Sequence, residues 1–248
     1  MCSSRVGLIV LDHGPTTAQV LTLGDQALLN MAHRLEAQGH VISRRPRPWH
    51  WIEPCTTTVA EAAQEFELEL KQLRLQGLDQ VFVVAQGLGA VMALRLVQAT
   101  QSQVQGMVLI NPTGTGAPYV YTDLLPDYSR LVANSLDLAR AAADPGEVRE
   151  FRVYSPWTGA GLIQASPRAF VTYWGGACDA TQVFDQFDQA VPCLIVVPGD
   201  ADPWDQDEAV YRRFALPPNK GHRLIRVATS QDLTPETTWA WILAQVDK

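Results

Sequence analysis

An α/β fold, a mostly parallel sheet flanked by helices, is what this sequence predicts. Three observations carry the prediction. Continuous apolar runs of strand length alternate with longer amphipathic stretches over most of the chain. The runs stop at loop formers, as at Asp12-His13-Gly14-Pro15 or Gly87. The chain is also long and apolar enough, at 248 residues and 47% hydrophobic, to bury both faces of a sheet.

Taken in order, residues 6–11 read as a buried strand running into a loop. Residues 25–38 follow with helical spacing of Leu28, Leu29, Met31, Ala32 and Leu35, and Gly39 stops them. Residues 41–43 form a short strand before Pro46 and Pro48 break into a Trp-rich loop. Thr58 and Glu61 make a capping box for a helix that reaches Leu75, with Gly77 at its end. Residues 80–85 are the next buried strand, 88–100 the next helix and 105–110 another strand.

Between residues 114 and 189 the alternation lapses, and the stretch is richer in Tyr, Trp, Gly and polar residues. It is expected to be a mostly helical insertion, so that 1–113 and 190–248 form the core and 114–189 a cap. Alternation returns with a strand at 193–197, a turn at 198–203 and a helix around 207–214. A last strand at 223–228 leads to a helix from Thr234, with Pro235 at its first position.

Composition narrows the function classes. The formal net charge of −7 gives no general attraction for nucleic acid or anionic lipid, and Arg44, Arg45 and Arg47 form only a small basic cluster. The N-terminal apolar run is cut by Asp12 and His13, too short for a signal segment or a membrane span, so a cytoplasmic location is expected. The four cysteines (Cys2, Cys55, Cys178 and Cys193) contain no Cys-x-x-Cys pair, which argues against zinc and redox motifs.

The most informative segment is Val81-Phe82-Val83-Val84-Ala85-Gln86-Gly87-Leu88-Gly89-Ala90. A buried strand passes directly into a helix through a turn of small residues, which lets the helix backbone pass close to the strand. Gly87-Leu88-Gly89-Ala90-Val91-Met92 also matches half of a dinucleotide fingerprint. Met92 replaces its last glycine, and Asn111 stands near where a ribose-binding acid would be. No cofactor is expected.

The segment resembles the nucleophile elbow of α/β-hydrolases, G-x-S-x-G. Ala85 and Gly89 fall at the flanking glycines, Gln86 and Leu88 at the variable positions, and Gly87 at the serine. The resemblance covers nearly the whole chain and implies an α/β-hydrolase fold with a cap over the site. Glycine relieves the strain that an elbow imposes on its central residue, and it removes every atom able to attack a carbonyl.

The remaining family positions follow the same trend. Gly199 and Asp202 fit the G-x-x-D turn that carries the acid, so Asp202 is its remnant. Gln231 falls where the family has its histidine, and an amide cannot act as general base near neutral pH. His13-Gly14 resembles the pair that opens the oxyanion loop, but Pro15, which follows, has no N–H to donate. With the serine and histidine both replaced, the resemblance implies a non-hydrolytic protein that binds a small apolar or aromatic ligand under the cap.

Two alternatives stay open at this level. One is a lyase, isomerase or cyclase that uses Asp202 with Asp232 or tyrosines of the insertion, which carries Tyr119, Tyr121, Tyr128, Tyr154, Trp157, Tyr173 and Trp174. The other is a hydrolase with a relocated nucleophile, such as Ser230 or Cys178.

Overall fold

Strand β1, Gly7–Leu11, is apolar at every position, as a strand covered on both faces must be. It lies inside a six-stranded sheet with β2 (Val41–Arg44), β3 (Val81–Gln86), β4 (Gly106–Ile110), β7 (Cys193–Pro198) and β8 (Arg223–Val227). The spatial order is β2-β1-β3-β4-β7-β8, and every neighbouring pair is parallel. The computed structural model describes residues 5–11, 30, 32–50, 53–101, 104–112, 126–155, 159–176, 178–188, 190–198, 221–227 and 235–246. The expected helix at 207–214 lies outside these residues.

Side-chain alternation along the strands divides the core into two layers. Ile9, Leu11, Val81, Val83 and Ala85 face helices α1 (Val59–Leu75) and α2 (Leu88–Thr100). Val6, Leu8, Val10, Phe82 and Val84 face Leu35 of a helical stretch at 32–37 and Trp241 and Ile242 of the C-terminal helix. A β-carbon on Gly106 would stand 2.9 Å from Cη2 of Trp241, so the absence of a side chain there lets the indole lie on the sheet.

The capping box of α1 forms as the sequence predicts. Thr58 Oγ1 accepts from the Glu61 backbone N–H at 3.2 Å, and Glu61 Oε2 accepts from the Thr58 N–H at 2.7 Å. The Thr58 N–H, and after it the Thr58 hydroxyl donating to the same Oε2 at 2.9 Å, hold the Glu61 carboxyl below its ordinary range.

The segment expected to be mostly helical does hold helices: α3 (Pro126–Arg140), α4 (Pro167–Trp174) and α5 (Ala180–Gln186). It also holds an antiparallel hairpin of β5 (Arg149–Ser155) and β6 (Gly159–Ala165), which the sequence reading did not anticipate. Phe151, Val153, Ile163 and Ala165 point inward, while Arg152 and Leu162, paired across the strands, point out. The stretch before α1 is stitched to β6 by Cys55 N–H to Gln164 O at 2.9 Å and Ser166 N–H to Cys55 O at 2.8 Å. Helix α5 packs on α2 and leads into β7. Helix α6 spans Pro235–Val246, with proline in its first turn as expected.

Candidate functional site at the carboxyl ends of the central strands

From β1 the chain moves outward to β2, then returns to place β3 on the other side of β1. This reversal makes a topological switch point between β1 and β3. In open α/β sheets, ligands bind in the crevice outside the carboxyl ends of the strands at such a point. The residues at those two ends are Leu11 and Gln86, and Gly87 follows directly.

Gly87 is the hinge of the turn from β3 into α2. Its φ of 58° and ψ of −128° lie where a Cβ is poorly tolerated, and no side chain caps the helix. The Gly87 N–H donates to Ile110 O at 3.0 Å, tying the turn to β4, and Ala90 N–H donates to Gly87 O at 3.1 Å. Leu88, Gly89, Ala90, Val91 and Met92 are all buried, so the first turn of α2 sits tightly on the sheet. The sharp strand–turn–helix context that the sequence predicts around Gly87 is therefore present.

Asn111, at the end of β4, is a neighbour that sequence reasoning did not place in the site. Its φ of 42° is unusual for a residue with a side chain, and asparagine is among the few that tolerate it. The Asn111 N–H donates to Val196 O at 2.8 Å, so β3, β4 and β7 end in one bonded row. Two left-handed residues thus stand on adjacent strand ends. The sequence signal for Asn111 was its place directly before Pro112, at the close of an apolar run.

Of the other expected site residues, Gln86 and Leu88 flank Gly87, and Gln86 is 6% exposed. His13, Gly14, Pro15, Asp202, Ser230, Gln231 and Asp232 lie outside the described residues. His222 precedes β8 and so stands at the end of the parallel sheet opposite Gly87.

Cys178 is fully buried, and its thiol lies 3.4 Å from Met92 Sδ, inside the core rather than at a mouth. Burial likewise pushes the Cys55 thiol up to about 12, which keeps it protonated and unreactive. Tyr173 is buried with Trp174 in the same core, and burial raises its phenol far above the ordinary value. Phe151, Phe170 and Trp174 stack in sequence, with ring centroids 4.2 Å and 5.8 Å apart. These aromatics belong to the same hydrophobic core as Ile9, Val83 and Ala85 of the sheet. Tyr119, Tyr121 and Trp157 lie outside the described residues.

Among the described residues, no group of three or more His, Cys, Asp or Glu side chains is arranged to hold a metal ion. None of the described helices is long and apolar enough to cross a membrane.

The strand order, the parallel sheet with helices on both faces and the tight β3–α2 turn define an α/β-hydrolase fold. Solved structures with this architecture include Est1E from Butyrivibrio proteoclasticus, at a TM-score of 0.59 and 13% identity, covering 99% of this chain and 90% of that one. A soluble variant of the monoglyceride lipase from Saccharomyces cerevisiae superposes with a TM-score of 0.60 at 10% identity, covering 97% and 87% of the two chains. The monoacylglycerol lipase of Paleococcus ferrophilus gives 0.60 at 11% identity, covering 98% and 95%. No protein-family model matches the chain. No curated protein sequence matches it either.

Proposed function

We propose that this protein is a non-hydrolytic member of the α/β-hydrolase fold, a binding or accessory protein for a small apolar or aromatic molecule. The observation that carries this reading is Gly87. It occupies the hinge of the β3–α2 turn, at a φ of 58°, and offers no nucleophilic atom there. In the sequence, Gln231 stands in place of the base and Pro15 in place of an oxyanion donor, so nucleophile, base and one oxyanion donor are all replaced. Asp202 is the remnant of the triad, and the 114–189 insertion is the cap.

Est1E and the two lipases named above share the fold, and a fold hosts many chemistries. Function has to follow the site. A fluorophosphonate probe checks the reading directly. The purified protein is expected to stay unlabelled and to hydrolyse p-nitrophenyl butyrate at the background rate. Stoichiometric labelling of any serine would falsify it.

A further inference from the structure

Gln86 is buried at the carboxyl end of β3, and its side-chain oxygen Oε1 is closed to solvent with no hydrogen-bond donor among the described residues. Buried amide oxygens are normally paired, so an orphan calls for a physical reason. Two other buried glutamine oxygens have one. Gln80 and Gln98 are oriented by their amide nitrogens, which donate to Val246 O at 3.3 Å and Gln186 O at 2.9 Å. Among the described residues, no such bond orients Gln86.

Its surroundings are apolar. Ile110 is its register partner on β4, and Val84 precedes it by two on the same strand face; they are 4% and 0% exposed. The residue also stands at the switch point between β1 and β3, immediately before Gly87.

We infer that Gln86 reads the ligand: its Oε1 accepts a hydrogen bond from a hydroxyl or N–H of an otherwise apolar, uncharged small molecule bound over the carboxyl ends of β1 and β3. This rests on the ligand-binding reading proposed above and names the ligand's chemistry. An acceptor without a donor selects for a donor. Beside Oε1 the core residues Val84 and Ile110 are apolar and closed to solvent, so an ion brought to this acceptor would lose its hydration. An analogue lacking the donor leaves Oε1 unpaired, which is how a polar group in a dry site discriminates.

The test pairs 4-ethylphenol with 4-ethylanisole, which differ in the donor alone, and follows each by NMR titration of the protein. Wild type is expected to bind the phenol about tenfold more tightly than the ether. Gln86→Met, similar in shape but without the acceptor, is expected to bring that ratio close to one while leaving affinity for the ether unchanged. A ratio near one in wild type, a ratio that survives in Gln86→Met, or no binding of either probe overturns the inference.

Thermal unfolding supplies a measure independent of any ligand. With Oε1 unpaired in the free protein, Gln86→Met is expected to raise Tm by about 2–4 °C. A lowered Tm means that Gln86 serves the fold, and overturns the inference as well. Fluorophosphonate labelling would remove the non-hydrolytic reading while leaving the donor preference at Gln86 measurable, so the two fail separately.

Discussion

The guanidinium of Arg47 grips the carboxylate of Glu69 in a two-point bond, Nη1 to Oε2 at 2.8 Å and Nη2 to Oε1 at 3.0 Å. Both side chains are almost closed to solvent, at 6% and 1% exposure. Ser43 Oγ adds a third donor to Glu69. The pair fastens the segment after edge strand β2, including the buried Trp49, to helix α1.

Removing one partner leaves an uncompensated charge in the core. Arg47→Met is therefore expected to destabilise the protein by about 3–5 kcal/mol in urea unfolding. The double variant Arg47→Met/Glu69→Leu should recover most of that loss, because it buries no charge. A single variant within about 0.5 kcal/mol of wild type would mean that the pair is solvated.

Gly106 gives a second test of the fold. A β-carbon there meets Trp241 at 2.9 Å and 3.2 Å and Phe82 at 3.3 Å, in a layer with little room to yield. Gly106→Ala is expected to cost about 1–3 kcal/mol and to loosen α6. Faster amide exchange across α6 would report the loosening, and unchanged exchange would show that the indole moves aside freely.

How much of this was legible in the sequence follows the range of the interactions. The Thr58–Glu61 capping box spans three residues, and its signal is local, so the start of α1 could be read from the sequence. The strands β1, β3, β4 and β7 are continuous apolar runs, and only their end residues shifted. The β5–β6 hairpin was hidden because β6 opens with Gly159, Ala160 and Gly161, a weak strand signal whose pairing comes from its partner. Arg47 and Glu69 are 22 residues apart, and nothing local marks them as a pair. In the site, the turn residues Gln86, Gly87 and Leu88 were visible through their spacing. That Gln86 Oε1 is an orphan acceptor depends on burial, which spacing does not encode.

His40 couples stability to pH. It is buried before β2, its Nδ1 accepts from Val6 N–H at 3.4 Å, and its ring lies 4.5 Å from that of Trp239 on α6. Burial holds its pKa below the ordinary 6.5. The unfolded chain then binds the proton more readily, so the contribution of His40 is full above pH ~6.5 and is lost as pH falls below it towards the folded value. Unfolding free energy should decline from pH 7 to 5.5 in wild type and less steeply in His40→Gln. Glu61, with its lowered pKa, acts in a separate window: its contribution is present above about pH 4.5 and declines below it. Parallel curves for wild type and His40→Gln between pH 7 and 5.5 would remove His40 as the cause.

Gly87→Ser isolates the proposal about catalysis. Restoring a hydroxyl at a φ of 58° forces a side chain into a backbone conformation that favours glycine, at an expected cost of about 1–3 kcal/mol in stability. A serine hydroxyl attacks a carbonyl only when a base takes its proton, and on the proposed reading Gln231 supplies none. The folded variant should therefore hydrolyse p-nitrophenyl butyrate at the wild-type background and show no acyl-enzyme burst. Turnover well above background in Gly87→Ser would reveal a working base near the turn, and would make the glycine the one lesion in an otherwise intact hydrolase.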